Sequence, residues 1–312
     1  MIEIRQYNDS LKSAWNEFVA NSKNGTFLFD RNFMEYHKDR FCDASLMFYK
    51  EDKLIALLPA NIDNHVLYSH QGLTYGGIVL NRHATTIDVL AIFEVLHKYA
   101  QEQNIKRIVY KPTPYIYHVV PAQEDLYALF KQEQAKLVAR NISTTIDMQN
   151  RIPFRSIRKA GVKKALKEGL LVGISTDITG FWNVMTENLK NKYGTTPVHN
   201  LEEIKLLISR FPENIQLYAA HKNQECVGGV LLFNTQQVCH SQYISANEYG
   251  KEFGALDAVF DNIINNLHPN IRYFDFGQST EDYGKYLNEG LIYQKEGFGG
   301  RGVCYDCYEY EI

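Results

Sequence analysis

The chain has 312 residues, enough for two ordinary domains, and its 45% hydrophobic content is sufficient to bury substantial cores. A formal net charge of −3 argues against a protein whose whole surface binds nucleic acid, although it leaves room for a local basic patch. The sequence has no run of 18 apolar residues and begins with the polar stretch MIEIRQYNDS, so we expect a cytoplasmic protein with no membrane span and no signal peptide.

The first half of the chain predicts alternating helices and strands. Leu11, Trp15 and Val19 recur at helical spacing and predict an amphipathic helix near the N-terminus. The later elements predicted in this half are a helix over 33–41, strands over 44–50, 53–60 and 65–69, a helix over 87–100 and a strand over 107–111. A polar turn over 50–53 joins the first two strands.

A similar order of elements recurs in the second half. Strands are predicted over 217–221, 226–233 and 238–245, followed by a helix over 253–267 and a strand over 271–276. The repeated order suggests a duplicated lobe, although hairpin-helix-strand is also a common order by chance. We therefore expect an α/β (α+β) protein of two lobes, 1–150 and 151–312, each with a mixed, mostly antiparallel sheet flanked by helices.

A basic segment opens the second predicted lobe. Residues 151–167 hold seven basic side chains and no acidic one before Glu168. In a helix, basic residues spaced by four form one stripe, and like charges at this spacing repel one another unless an anion meets them. The members of the stripe are Arg151, Arg155, Lys159, Lys163 and Lys167. The stripe indicates a phosphate-rich ligand such as a tRNA backbone, a nucleotide diphosphate or coenzyme A, and the alternative is a solvated helix face.

A second candidate binding segment is 248–260, EYGKEFGALDAVF, which follows a predicted strand and opens a helix. At such a turn, GNAT enzymes bind the pyrophosphate of coenzyme A through backbone N–H groups, and Gly254 is the candidate here. No register matches the GNAT pattern of Arg or Gln, two residues, Gly, one residue, and Gly or Ala. Glu252 would also place a negative charge near the phosphate.

Three separated stretches resemble, in the same order, the Fem family of peptidoglycan aminoacyl transferases. Trp15-x-x-Phe18 followed by Asn24-Gly25-Thr26-Phe27 is similar to the opening of the family, and Arg158-Lys159-Ala160 to its basic helix. The C-terminal end of the family is matched by Asp275-Phe276-Gly277, then Gly290-Leu291, then Lys295-Glu296-Gly297-Phe298-Gly299-Gly300. The chain lacks the long helical arm of the staphylococcal enzymes and so resembles shorter members.

The resemblance implies two tandem GNAT-like lobes and acyl transfer onto an amine. In Fem enzymes an aminoacyl-tRNA donates to a lipid- or nucleotide-linked muropeptide. The expected donor is therefore an aminoacyl-tRNA or an acyl-CoA, and the expected acceptor is a muropeptide, a nucleotide sugar or another small molecule. The candidate donor-binding residues are Arg155, Arg158, Lys159, Lys163, Gly254, Phe298 and Gly299.

Lys295, Asp275 and Tyr243 are the candidate catalytic residues. Lys295 matches the family's functional lysine and is expected to stabilise a donor phosphate, the terminal ribose or the developing oxyanion; the alternative is a surface lysine in a Gly-rich loop. Asp275 could orient the amine, act as base or cap a turn, and the Tyr243 phenol could donate to the carbonyl, protonate a leaving group or be a core aromatic. Phe298 either buttresses its loop or stacks on an adenine, and Gly299 permits close backbone approach or a bulged turn.

Aminoacyl transfer needs neither a metal nor an enzyme nucleophile, because two bound substrates react by proximity. Cys304 and Cys307 form the only close cysteine pair, and a zinc site needs four ligands, so no metal is expected. The leading prediction is an acyltransferase in cell-wall or surface-glycan precursor metabolism. The alternatives are an acetyl-CoA-dependent N-acetyltransferase acting on an amino sugar or small amine, and a non-catalytic protein that binds RNA or a nucleotide-linked ligand.

Overall fold

The computed structural model describes residues 1–312, with the side chain of Tyr193 outside the described set. The chain divides into two compact units. The first unit comprises residues 1–142, 280–287 and 303–312, and the second comprises 143–279 and 288–302. No described helix is long and apolar enough to cross a membrane.

The first unit contains a small antiparallel sheet and a set of further strands around long helix α3. Its helices are α1 (Lys12–Asn21), α2 (Arg31–Met34), α3 (Thr86–Glu102) and α4 (Glu124–Lys131). Its strands are β1 (Ile2–Gln6), β2 (Cys42–Asp43), β3 (Leu46–Lys50), β4 (Lys53–Leu58), β5 (Asn61–Asp63), β6 (Val66–Tyr68), β7 (Val79–Leu80), β8 (Arg107–Tyr110), β15 (Thr280–Glu281) and β16 (Tyr286–Leu287). Strands β1, β3, β4 and β7 pair antiparallel in that order.

Helix α3 forms where the sequence predicts it. Thr85 and Asp88 form a capping box at its start, which satisfies backbone N–H groups that the first turn leaves unpaired. Its buried residues, which recur every three or four positions, are Val89, Ile92, Phe93, Leu96 and Ala100, and they pack into the core of the first unit.

Two strands run across the division between the units. Strand β9 (Lys136–Asp147) and strand β17 (Arg301–Glu311) each contribute residues to both. The C-terminal residues 303–312 belong to the first unit because β17 pairs antiparallel with β8, with Tyr308 opposite Tyr110. This division differs from the predicted continuous lobes, 1–150 and 151–312, because strand pairing joins residues that are far apart in the sequence.

The second unit is a mixed sheet flanked by helices. Its helices are α5 (Ser156–Glu168), α6 (Ile178–Tyr193), α7 (Leu201–Arg210), α8 (Glu248–Phe253), α9 (Ala255–Asn265) and α10 (Glu289–Glu296). Its strands are β10 (Leu171–Ser175), β11 (Ile215–Lys222), β12 (Glu225–Asn234), β13 (Val238–Ala246) and β14 (Tyr273–Gln278), together with the end of β9. Parallel pairing joins β13 to β14 and antiparallel pairing joins the other neighbours, so the predicted class of mixed, mostly antiparallel sheet flanked by helices is confirmed.

Strand β13 positions the site described below. It pairs in parallel with β14 over Val238–His240, and its register against β12 shifts between Leu231 and Leu232. A β-bulge of this kind bends a strand and redirects its side chains. Residues 242–246, which follow the bulge, line a cavity.

Two predicted helices differ from the structure. The helix predicted over 253–267 corresponds to α9, and Gly254, which adopts a left-handed conformation with φ of 75°, separates it from the short helix α8 that ends at Phe253. The helix predicted over 33–41 is limited to α2 and one following 3-10 turn, Glu35–His37. Short polar and aromatic runs such as this one carry little periodic signal.

Candidate functional site

The second unit contains a cavity of about 730 Å³. Helix α6, the segment 195–198, the end of β13, helix α9 and helix α10 all contribute to its walls. Its apolar lining residues include Met185, Leu189, Leu256, Phe260 and Leu291. The volume is in the range of small-molecule sites, so the cavity can hold a substrate portion of drug-like size.

The polar lining of this cavity is basic or neutral. Three lysines, Lys192, Lys251 and Lys295, contribute to it, and none of the described side chains that line it is a carboxylate. Lys251 donates to Asn188 at 2.8 Å and to the exposed Glu248 at 2.7 Å. A cavity with this lining favours a ligand that carries negative charge.

Lys295 is buried at the cavity wall. Its side chain lies in the last turn of α10, the residue is 5% exposed, and Nζ donates to the carbonyl oxygens of Gly277 and Gln278 at 2.8 and 2.7 Å. Burial lowers the pKa of Lys295 to about 8, although the nearby Asp275 opposes this change. An ammonium has three N–H donors, so two strand-end carbonyls leave one donor for a ligand.

Asp275 is fully buried beneath the strand end that holds Lys295. Its carboxylate accepts hydrogen bonds from Ser143 at 2.5 Å, Thr145 at 2.8 Å and His240 Nδ1 at 2.8 Å. Burial raises the pKa of Asp275, but the hydrogen bonds and charge of His240, with those of the two hydroxyls, lower it below its usual value. Asp275 does not line the cavity, so its visible contacts are those of an anchor for the end of β14.

Tyr243 lines the cavity from β13. Its phenol lies 2.5 Å from Nδ1 of His199, and the Trp182 ring packs edge-on against it at 5.2 Å. Burial raises the pKa of Tyr243 to about 12, although bonds from the backbone of His199 and the side chain of Gln242 oppose this. The phenol therefore keeps its proton at neutral pH.

The glycine-rich segment after Lys295 is packed tightly. Phe298 is almost fully buried among Phe154, Phe260 and Phe276, which favours the predicted buttressing role over stacking on an adenine. Gly299 has a φ of 93°, and a Cβ there would lie 2.1 Å from the carbonyl oxygen of Ile152. Only glycine fits this position.

The basic segment forms helix α5 as predicted, but its charges have different surroundings. Arg158 is bound to Asp257 of α9 at 2.7 Å, and Arg155 lies 3.8 Å from Glu296 and over the ring of Tyr293. Lys159, Lys163 and Lys167 are exposed along one face of the helix. The exposed part of the predicted stripe is therefore Arg151, which precedes the helix, and these three lysines, and none of the α5 residues lines the cavity.

Gly254 lies where the helix start of α9 meets helix α5. A Cβ at Gly254 would lie 2.5 Å from the carbonyl oxygen of Gly161, and the buried Asp257 stands in the first turn of α9. In the preceding turn, the N–H of Gly250 is bonded to the side chain of Asn247. A phosphate at this helix start would meet protein backbone and a carboxylate, which agrees with the missing GNAT glycine pattern.

The structure brings together some of the predicted residues. Lys295, Tyr243 and Phe298 line one cavity, whereas Asp275, Arg155, Arg158, Lys159, Lys163, Gly254 and Gly299 are outside its lining. Sequence reasoning missed His199, which lies 44 positions from Tyr243 in a short connection between helices and belongs to no motif. Across the described residues, no group of three histidine, cysteine or acidic side chains could hold a metal, and Cys304 and Cys307 are free thiols.

Residues 155–285 match the family model of the acetyltransferase (GNAT) domain. This part of the chain, in the second unit and the following turn, is therefore similar to GNAT acetyltransferase domains. The predicted class of enzyme, an acyltransferase, is therefore confirmed. No curated protein sequence matches the chain.

Solved structures with a similar fold cover both units of the chain. The crystal structure of FemX is similar with a TM-score of 0.71 at 11% identity, covering 99% of this chain and 97% of FemX. L-PGS from Bacillus licheniformis has a TM-score of 0.63 at 12% identity over 98% and 92% of the two chains. A tandem GNAT protein from the clavulanic acid biosynthesis pathway has a TM-score of 0.51 at 9% identity over 100% and 98%. The predicted Fem-like tandem GNAT fold is confirmed.

Proposed function

We propose that this GNAT protein transfers an acyl or aminoacyl group from an activated, negatively charged donor to a primary amine, and that the cavity of the second unit holds the reacting acyl group. The observation that carries the proposal is the placement of Lys295. A buried ammonium that is fixed by two carbonyls and faces a cavity without carboxylates supplies a preorganised donor to an oxyanion.

The chemistry follows from these groups. The amine nitrogen attacks the acyl carbon, and the carbonyl electrons move to oxygen, where the third N–H of Lys295 stabilises the negative charge. Collapse of the tetrahedral intermediate breaks the bond to the leaving group, and the Tyr243 phenol supplies the proton that this group needs. Asp275 serves this arrangement by fixing the strand end whose carbonyls hold Lys295.

The donor is either an aminoacyl-tRNA or an acyl-CoA, which both carry phosphates. For acyl-CoA, the GNAT domain is the supporting observation, whereas the occupied helix start at Gly254 and Asp257 opposes a pyrophosphate there. For aminoacyl-tRNA, the exposed face formed by Lys159, Lys163 and Lys167 offers positive charge. The acceptors proposed are muropeptides, nucleotide sugars and other small amines of cell-wall or surface-glycan precursor metabolism, handled in the cytoplasm.

The test compares the two donors on one panel of acceptors. Acetyl-CoA and a mixture of aminoacyl-tRNAs, each labelled in the acyl group, are incubated with a muramyl peptide, an amino sugar and a small primary amine. We expect amide formation from one donor, reduced about 10²–10³-fold by Lys295→Met. Lys205→Met is the control, because Lys205 is an exposed lysine paired with Glu202 outside the cavity.

Two outcomes contradict parts of the proposal, and a third selects the donor. Undiminished transfer by Lys295→Met removes the role of Lys295. Transfer by neither donor removes the proposed reaction, and retention of tRNA on a filter at low salt, without transfer, would favour a binding protein instead. Transfer from acetyl-CoA alone, with a heat of binding to CoA, establishes the N-acetyltransferase alternative.

A further inference from the structure

We infer that His199 is the proton acceptor of this reaction and acts through the phenol of Tyr243. The inference rests on the proposed function, because it assigns the proton that the attacking amine must lose. Aminolysis of an ester or thioester releases this proton, and a base near the acyl group accelerates the step.

The cavity itself offers no carboxylate for this task among its described lining residues. Lys295 is engaged as a donor to two carbonyls, and Asp275 is buried under three hydrogen-bond donors. A base for the amine must therefore be reached through another group. Tyr243 is the lining residue whose phenol joins the cavity to an imidazole.

The contact between the two side chains is short and held from several sides. Nδ1 of His199 lies 2.5 Å from the phenolic oxygen of Tyr243, and His199 is 7% exposed. The imidazole meets the phenol ring edge-on with centroids 5.8 Å apart, and Trp182 packs against another side of the phenol. Both rings are thus fixed relative to each other before any substrate binds.

The direction of the hydrogen bond follows from the protonated phenol. Burial raises the pKa of Tyr243 to about 12, so the phenol keeps its proton at neutral pH and can donate it to Nδ1 of His199. The relay uses the tautomer of His199 that accepts at Nδ1 and carries its own proton on Nε2. The phenolic oxygen keeps lone pairs that can accept the proton of an attacking amine.

The proton transfers balance over one turnover. As the N–C bond forms, the amine gives a proton to the oxygen of Tyr243, which passes its own proton to Nδ1 of His199. When the bond to the leaving group breaks, the imidazolium returns a proton through the phenol to that group. His199 and Tyr243 end the cycle as they began, and no external base is consumed.

The experiment measures kcat/KM for acyl transfer against pH in the wild type, His199→Ala, His199→Asn and Tyr243→Phe. Because neutral imidazole is the acceptor, the wild-type rate should rise with pH as the imidazole of His199 loses its proton. His199→Ala and Tyr243→Phe should each lower the rate about 10²–10³-fold and abolish this rise. The double variant should be no slower than either single one, because the two groups act as a unit.

The control separates a chemical role from a structural one. His199→Asn retains a hydrogen-bonding side chain beside Tyr243, so its melting temperature should stay near that of the wild type while the pH-dependent rise disappears. His221→Ala, at a half-buried histidine of β11 outside the cavity, should keep both rate and pH profile. A His199→Ala enzyme with a rate within twofold of the wild type and an unchanged pH profile overturns the relay alone. Absence of transfer by the wild type overturns the proposed function as well.

Discussion

Asp275 provides a sharp test of whether a buried carboxylate acts as a base or as an anchor. Its oxygens accept from two hydroxyls and one imidazole nitrogen, and the same residue accepts from Ser241 through its backbone oxygen at 3.2 Å. The segment that follows it supplies the two carbonyls that hold Lys295. We expect its replacement to affect stability first and catalysis second.

The size of the effect can be worked out from these contacts. Asp275→Ala leaves two buried hydroxyls and His240 without their acceptor, and breaking a buried pair of this kind costs about 3–5 kcal/mol. Asp275→Asn keeps an acceptor oxygen for the hydroxyls but loses the charge, so its cost should be about 1–3 kcal/mol. Because the pKa of Asp275 is lowered in the folded state, its contribution is lost as the pH falls through that pKa, and wild type and Asp275→Asn should converge in acid.

The assay is urea unfolding followed by tryptophan fluorescence. The chain has two tryptophans, Trp15 in the first unit and Trp182 in the second, so a Trp15→Phe background makes the signal specific for the second unit. Asp261→Asn is the control, because its carboxylate bonds to Asn265 on an exposed face of α9.

The anchor role predicts that Asp275→Asn lowers the free energy of unfolding of the second unit and reduces kcat/KM by less than tenfold. A base would show the opposite pattern. If Asp275→Asn unfolds within about 0.5 kcal/mol of the wild type and yet loses 10²-fold or more in rate, the reasoning is refuted and the predicted base role stands.

Two further predictions concern the segment around Lys295. The pKa of Lys295 is about 8 in the folded protein, below the ordinary 10.5, so the unfolded chain binds more protons between these pH values and stability rises with pH there. From pH 7 to 9.5, the wild type should therefore gain about 2 kcal/mol in free energy of unfolding relative to Lys295→Met, measured by urea unfolding. A difference that stays constant with pH would contradict the burial of a charged lysine. Gly299→Ala should destabilise the second unit by more than about 2 kcal/mol, because a Cβ there meets the carbonyl oxygen of Ile152. Gly173→Ala is the control, since Gly173 has open space around it, and it should change the stability by less than about 1 kcal/mol. Equal urea midpoints of unfolding for the two variants would show that the tight turn relaxes.

Much of the fold could be predicted because it depends on local patterns. The apolar spacing of α3, the hairpins of β3 with β4 and β11 with β12, and the basic helix α5 all appear where the sequence indicates them. Helices α6, α7 and α10 were not predicted, although α7 begins with a capping box of Asn200 and Glu203 that is readable in the sequence. The pairing of the C-terminal strand β17 with β8 of the first unit was not predicted, because pairing depends on register across about 200 residues.

The sequence alone was enough to predict an acyltransferase with two GNAT-like lobes and to select Lys295 and Tyr243 as candidate catalytic residues. Tertiary structure alone decided which polar groups share that cavity. It placed Asp275 beside two hydroxyls outside the cavity lining, paired Arg158 with Asp257, and set His199 against Tyr243. The physical reason is that periodicity reports which face of an element is buried, whereas the partner of a buried polar group is set by strand register and helix packing between distant parts of the chain.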